Sequence, residues 1–157
     1  MAFYSGTNGS LWIKDKTTNQ LKKAARVRSW QVTSSVGMLD TTSLEDTDRT
    51  VTPGIRNTSG SCDLFYYRPS DGSSETNSAS ELLNKIIKAR TGGGSEGIAA
   101  ETDAVTLRLK INDGSTDGKY VEVDAYLTSA QMSMAVGQVL SAQISFDTIG
   151  APTLVKI

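Results

Sequence analysis

Alternation of apolar and polar residues with a period of two runs through most of the chain and predicts a mainly β protein. The segment AVTLRLKIND shows this most cleanly, with four apolar residues on the predicted inner face: Val105, Leu107, Leu109 and Ile111. Similar patterns in SLWIKD, KAARVRSWQVTSSV and GSCDLFYYRP predict further strands. We expect six or seven strands in all, with one helix packed on the sheet.

The run KYVEVDAYLTSAQMSMAVG changes phase once. Its apolar residues occupy odd positions from Val121 to Leu127 and even positions from Ala130 to Val136. A β-bulge or a strand bend produces a slip of this kind, so we expect one near 128–130. Met132 and Met134 are expected to fill gaps in the core, because their thioether side chains are flexible.

The last clear strand, QVLSAQISFDTIG, has an unusual polar face. Its apolar face consists of Leu140, Ala142, Ile144 and Phe146. The opposite face consists of Ser141, Gln143, Ser145 and Asp147. These polar side chains are small and uniform, whereas a solvent-exposed strand commonly carries a charged outer face. The face therefore needs a functional explanation.

One helix is predicted over about 78–91. Ser78 and Glu81 stand three residues apart, as the N-cap and its partner do in a capping box. Apolar residues at helical spacing follow, from Leu82 to Ile87, and Gly92 is suited to end the helix.

The composition of the chain limits the classes of function that it can have. The 157 residues fit a single domain, 1–157, and 16 basic against 17 acidic residues give a net charge of −1, which argues against a protein that grips nucleic acid. Histidine is absent, and the single cysteine, Cys62, forms neither an internal disulfide nor an ordinary zinc site. We expect no enzyme, no catalytic or metal site and no cofactor. No apolar run is long enough to cross a bilayer and no signal peptide is visible, so we expect a cytosolic protein.

The segment DGSTDGKYVEVD matches the spacing of a calcium-binding loop. Asp113, Ser115, Asp117 and Asp124 fall at ligand positions, with Gly118 at the sixth. Such a loop needs a helix on each side, however, and both flanks here are predicted strands. A hairpin turn is the preferred interpretation.

An acidic, threonine-rich stretch, LDTTSLEDTDRTVTPGI, is the other candidate for chemistry. Its carboxylates are Asp40, Glu45, Asp46 and Asp48, and their spacing fits neither a metal site nor an acid–base pair. The stretch instead predicts an extended hairpin arm over about 36–60, with its tip near 45–48. Little apolar material is available to order such an arm within one subunit, so we expect a neighbouring subunit to stabilise it.

A local excess of basic residues surrounds the first predicted hairpin. These residues are Lys14, Lys16, Lys22, Lys23, Arg26 and Arg28. They form either a solvated hairpin or a surface complementary to an acidic one, which makes them the candidate acceptor for the arm.

Two segments, RSWQVTSSVGMLDTTSLEDTDRTVTPGIRNTSGSCDLFYY and VGQVLSAQISFDTIGAPT, resemble the major tail tube proteins of tailed bacteriophages. The shared features are an Asp/Thr-Ser-Leu segment, an Asp-Arg pair, a Pro-Gly, and Phe146, Gly150 and Pro152 near the end. The resemblance implies a β-sandwich or open β-barrel with one flanking helix. The tube protein of type VI secretion systems shares this architecture.

The resemblance also implies a function. Six subunits form a ring, their inner strands join into one barrel, and stacked rings form the tube for DNA ejection. It places the protein in the virion tail, made in the host cytoplasm, with sheath, tape-measure, terminator or baseplate proteins as further partners. The arm then reaches an adjacent subunit or ring through these residues: Leu39, Asp40, Leu44, Glu45, Asp46, Asp48, Arg49, Pro53 and Gly54. The face of Ser141, Gln143, Ser145 and Asp147 becomes the candidate channel lining, past which DNA moves without specific binding; contact with a sheath or with solvent is the alternative for this face.

Three alternatives remain open at the level of sequence. The chain is alternatively a small β-sandwich binding module, calcium-dependent through Asp113, Asp117 and Asp124. It is alternatively a tube or terminator protein of a related injection machine. A hydrolase with a carboxylate pair is the least favoured, because no other residues form a pocket around the acids.

Overall fold

The computed structural model describes residues 9–15, 19–24, 27–65, 76–77, 82–83, 85–87, 103–116 and 118–157. Nine strands occur in these residues: β1 (Gly9–Asp15), β2 (Leu21–Ala24), β3 (Val27–Asp40), β4 (Val51–Phe65), β5 (Thr76–Asn77), β6 (Val105–Ile111), β7 (Lys119–Ser133), β8 (Ser141–Thr148) and β9 (Leu154–Lys156). The prediction of a mainly β protein is confirmed.

All nine strands belong to one sheet, in the order β3-β4-β8-β7-β6-β1-β2-β5, with β9 also paired to β7. The pairs are antiparallel except β2 with β5. Strand β7 joins two parts, because residues 119–125 pair with β6 whereas 125–133 pair with β8. We call β3, β4, β8 and residues 126–133 the long half. The short half is residues 119–125 with β6, β1, β2, β5 and β9.

The predicted phase slip lies where the two halves meet. Leu127 pairs with Phe146 and Ser129 with Ser145, so Thr128 is the extra residue of a bulge. An extra residue on one strand bends that strand and reverses which face its later side chains occupy. The bulge therefore keeps Ala125 and Ala130 on the same apolar side of β7, which confirms the prediction.

The apolar faces of both halves contribute to one core. Leu11, Leu107 and Leu109 of the short half and Ile144 and Phe146 of the long half are all essentially inaccessible to water. This burial confirms most of the inner faces predicted for β6 and β8, whereas Ile111 and Leu140 at their ends are only half-buried. The two halves therefore share one hydrophobic core, and a single domain over 1–157 stays a prediction.

A glycine sets the distance between β4 and the core. Gly60 pairs with Phe146 of β8, and a β-carbon at Gly60 would lie 2.4 Å from both the carbonyl oxygen of Gln31 and Cζ of Phe146. Only a residue without a side chain lets the aromatic ring lie over the strand backbone at this point.

Two sequence-based expectations fare differently in the structure. Met132 and Met134 are 44% and 79% exposed, so the prediction that they fill the core is wrong. They lie where β7 runs past the core towards its turn with β8. The predicted helix 78–91 lies largely outside the described residues, and a flanking helix is not shown. Within it Leu82 and Leu83 are buried, and the Ile87 amide donates to the Leu83 carbonyl. Closure into a sandwich or barrel stays a prediction.

Candidate functional site

The polar face of β8 continues across the whole long half. Cross-strand pairing places Ser145 between Ser61 of β4 and Ser129 of β7, and Gln143 between Asp63 and Gln131. The same face of β3 carries Gln31 and Thr33, which pair with residues of β4. The face is built almost entirely from hydroxyl and amide groups.

Carboxylates supply the charge at the centre of this face. Asp63 accepts a hydrogen bond from the Ser29 hydroxyl at 3.0 Å, and Asp147 is exposed beside Tyr126. The four predicted lining residues therefore share one surface with similar residues of three other strands. Hydroxyl and amide groups bind water readily and offer no positive charge to a phosphate. Arg28 supplies a positive charge at one end of the face, where it lines a depression with Gln131 and Ser141.

The outward face of the short half is built differently. Arg108 and Glu122 form an ion pair at 2.6 Å, and the Arg108 guanidinium lies 4.6 Å from the centre of the Tyr120 ring. The Thr106 hydroxyl donates to Asp124 in the neighbouring pair of residues. Charges here are paired across strands, which stabilises the sheet.

The arm is observed as a protruding two-stranded ribbon. Residues 36–40 of β3 pair with residues 51–56 of β4, whereas the backbone pairing of β4 with β8 begins at Ser59 and the Thr148 hydroxyl of β8 donates to the Thr58 carbonyl. The last three residues of the predicted arm, 58–60, therefore belong to the body of the sheet. Thr58 anchors the ribbon, because its side chain is buried and its hydroxyl lies 3.0 Å from that of Ser34.

Hydrogen bonds within the arm organise its tip. Asp40 accepts from the amide and the hydroxyl of Thr42 and forms an ion pair with Arg49, and these contacts lower the pKa of the carboxyl group. Asp46 accepts from the Ser43 amide at 2.7 Å, which likewise lowers its pKa. Two of the four carboxylates therefore shape the turn.

The remaining features of the tip face outward. Leu44, which lies between Ser43 and Glu45 in the chain, is fully exposed, at 108% of its reference area. Asp48 is exposed as well. Behind the tip, the ribbon exposes further apolar side chains: Val36, Met38, Leu39, Val51 and Ile55. Pro53 and Gly54 lie at an irregularity in the ribbon opposite Gly37.

A second exposed apolar feature lies at the other end of the long half. The turn between β7 and β8, residues 134–140, exposes Met134, Val136 and Val139, and Val136 is fully exposed at 105%. Sequence analysis missed this turn as a surface. The signal was present, since no charged residue occurs from Ala125 to Phe146.

The six basic residues of the candidate acceptor do not form one surface where the structure describes them. Lys22 pairs with Ile13 and Lys23 with Trp12, so their side chains project to opposite faces of β2. Lys14 shares a face with Lys23, while Arg28 lies at a bulge of β3 in the long half. Lys16 and Arg26 lie outside the described residues. The role of this set as an acceptor stays a prediction.

The calcium-loop match is a hairpin turn. Asp113 accepts from the amide and hydroxyl of Ser115, Asn112 accepts from the Gly114 amide, and Gly114 and Gly118 have positive φ angles. Asp124 lies on β7, and Asp117 is outside the described residues. Within the described ranges, no three histidine, cysteine or carboxylate side chains could hold a metal ion together. Across that same part of the chain, no helix is long and apolar enough to span a membrane.

Comparison with solved structures identifies the fold. The tail of an empty gene transfer agent particle, refined with C6 symmetry, contains a chain that superposes with a TM-score of 0.67 at 15% identity, over 98% of this chain and 99% of that one. The SPP1 tail tube gives a TM-score of 0.69 at 13% identity, over 99% and 81%. The sheath–tube complex of the extracellular contractile injection system PVC gives 0.65 at 12% identity, over 99% and 93%.

The chain therefore has the fold found in tail and tube assemblies of phages, gene transfer agents and contractile injection systems. No protein-family model matches the sequence, and no curated protein does. Fold does not by itself determine function, so the surfaces described above must carry the functional argument.

Proposed function

We propose that this protein is the structural subunit of a tail tube, which assembles into stacked hexameric rings and is not an enzyme. The observation that carries the proposal is a fold shared over nearly the whole chain with tail and tube structures. One of those structures is a tail with C6 symmetry, which supports six subunits in a ring. We infer a location in the virion tail after synthesis in the host cytoplasm.

The edges of the long half support ring formation. Among the described strands, β3 pairs only with β4, and residues 126–133 of β7 pair only with β8. Each edge carries backbone amides and carbonyls that no other described strand pairs with. Such edges pair readily with other chains, so joining β3 of one copy to β7 of the next removes both and closes a barrel.

The polar face then lines the channel. Its rows of Ser61, Ser145 and Ser129 run around the barrel, and the carboxylates of Asp63 and Asp147 repel phosphate. A lining rich in lysine or arginine would retain DNA through release of its counterions. The observed composition supports passage of DNA without binding.

The arm supplies contacts beyond the ring plane. It protrudes from the long half and exposes apolar and acidic side chains that no described part of the same chain covers. A neighbouring subunit or ring is its proposed partner. Sheath, tape-measure and terminator or baseplate proteins are further proposed partners at the outer surface, the channel and the tube ends.

A tube of a contractile injection system is the second candidate. The likeness to the PVC sheath–tube complex supports it, because that complex combines a tube with a sheath. Both candidates predict the same subunit and the same tube.

Electron microscopy of the purified protein tests the proposal. We expect rings and tubes with six subunits per turn, visible by negative stain at high protein concentration. A protein that stays monomeric at all concentrations, by light scattering and by microscopy, contradicts it. Tubes with a different symmetry preserve the structural role and contradict the hexamer.

A further inference from the structure

The long half exposes two apolar surfaces at its opposite ends. The arm leaves the sheet beyond the pair of Ser59 with Asp147, whereas the β7–β8 turn leaves it beyond the pair of Ser133 with Ser141. These pairs mark the two ends of β8. A copy stacked end to end on another in the same orientation therefore brings its arm to the turn of the second copy.

We propose that the arm of one copy covers the β7–β8 turn of a second copy in the next ring, with the acidic tip reaching Arg28 of that copy. The inference rests on the proposed function and adds the partner of the arm and the chemistry of the contact. The proposed acceptor is the apolar β7–β8 turn in place of the six basic residues around Lys14, and Arg28 is the one member of that set that takes part in the contact.

Exposure of the two surfaces supports an apolar contact. Ile55 on the arm is 89% exposed, and Val136 in the turn is completely exposed. Met38 and Leu39 lie beside Ile55 on the ribbon, and Met134 and Val139 flank the turn. Clustered apolar groups of this kind are uncommon on a free surface and mark interaction sites.

The reach of the arm fits this arrangement. Residues 36–40 alone extend about 17 Å at the usual rise of about 3.4 Å per residue, and the tip adds to that length. The apolar strands therefore pass alongside a turn that itself projects from the next copy. The tip then lies farther along that copy, against the body of its sheet.

Charge at both sites agrees with this placement. Arg28 lines a depression of about 180 Å³ at the turn end of the long half, together with Gln131, Ser133 and Ser141. Glu45 and Asp48 are the tip carboxylates that no described turn hydrogen bond uses. Pairing them with Arg28 also neutralises a basic group at the rim of the polar face.

The contact joins two different surfaces, so it does not close on itself. Each copy offers a free turn at one end and a free arm at the other. A heterologous contact along one axis generates an open stack, which is what a tube requires.

Cysteine cross-linking tests the contact directly. Cys62 is buried, and burial with the nearby charge of Asp63 raises the pKa of its thiol to about 12, so the natural cysteine stays unreactive. In assembled tubes of the Ile55→Cys/Val136→Cys variant, a short bismaleimide should produce a ladder of products larger than six subunits. The matched control Ile55→Cys/Ile157→Cys, whose second site is also exposed at 80%, should give no ladder.

Polar substitution gives a second measurement. Val136→Asp with Val139→Asp should leave single rings intact and abolish tubes, whereas Ile157→Asp should leave both unchanged. Glu45→Lys with Asp48→Lys should shorten tubes, and Arg28→Glu in the same chain should restore their length.

The outcomes separate the two proposals. Tubes that form normally with Asp at 136 and 139 and show no ladder contradict the arm contact and leave the tube function intact. A ladder that stops at six subunits places the contact within a ring and also contradicts the inference. Absence of rings and tubes in the unmodified protein overturns the proposed function, and the inference with it.

Discussion

The outward faces of the two halves of the sheet are both polar, yet they differ in the chemistry that makes them so. The short half uses charges in pairs, with Arg108 bridging to Glu122 and stacking on Tyr120. The long half uses serine and glutamine, with Asp63 and Asp147 as its carboxylates. Paired charges stabilise the sheet itself, whereas neutral groups bind water and offer little charge to a partner.

The two faces contribute differently to the stability of the subunit. An ion pair that is mostly shielded from water stabilises the strands that hold it, and it leaves little charge for a partner. A face of small neutral groups contributes little to its own subunit. The proposed role of the long half as a channel lining accounts for this composition.

Replacing Gly60 with valine should destabilise both halves of the sheet, because they share one core. The new side chain would meet the Gln31 carbonyl and the Phe146 ring at 2.4 Å. We expect a loss of about 3 kcal/mol in the free energy of unfolding, the upper part of the usual range for overpacking. Urea denaturation measures it. Gly37→Ala on the same hairpin is the control, since a β-carbon there lies 3.6 Å from its nearest neighbour, the Ile55 carbonyl oxygen.

Removing one charge from each face should lower the free energy of unfolding much more for the short half than for the long half. Glu122→Gln leaves Arg108 without its carboxylate, and we expect a loss of about 1 to 3 kcal/mol, as for hydrogen bonds to charged groups. Asp147→Asn on the long half should change the free energy of unfolding by less than about 0.5 kcal/mol, because the side chain is exposed. Equal losses from the two substitutions, by urea denaturation, would contradict the distinction.

Adding positive charge to the long half should convert it to a surface that binds DNA. The Gln143→Lys/Ser145→Lys variant should keep its thermal midpoint and assemble, because both positions face outward. Its tubes should retain DNA at low salt and release it as salt rises. Filter binding measures the retention. Lysine at Thr116, in the β6–β7 turn, is the control and should leave retention unchanged.

Acidification should produce the smallest effect, at turns whose aspartates accept hydrogen bonds: the arm tip and the β6–β7 turn at Asp113. Hydrogen bonds lower the pKa of Asp40 and Asp46 below their usual value near 3.8. The stabilisation from each carboxylate is therefore present above pH 4 and is lost as the pH falls through the lowered pKa. We expect the amide proton resonances of Thr42 and Ser43 to shift upfield below pH 4 in NMR spectra of the unassembled protein. Amides of β8 should not follow.

Local patterns determined much of the fold before any tertiary information. Alternation placed Leu107, Leu109, Ile144 and Phe146 in the core, because successive side chains of a strand point to opposite faces. For the same reason, the change of phase near 128–130 indicated the bulge that the structure has at Thr128. The Asp113 segment was correctly interpreted as a turn from its flanking strands. The polar face of β8 was visible for the same reason.

Contacts between distant segments required the tertiary structure. Met132 and Met134 continue the apolar alternation, but β7 runs beyond the core at that point. Both side chains are therefore exposed, although the sequence pattern there is the same as in the buried part of the strand. Composition treated four carboxylates of the arm alike, whereas folding assigns Asp40 and Asp46 to the turn and leaves Glu45 and Asp48 free of those turn bonds.

The strand class, the inner faces and the existence of an acidic arm followed from local sequence, because those features depend on neighbours a few residues away. The strand pairing of the tertiary structure was needed to show that the polar face spans four strands. It also decided that the arm and the apolar β7–β8 turn lie at opposite ends of the long half. Strand order and register create those relations, and they join residues separated by up to about a hundred positions in the chain.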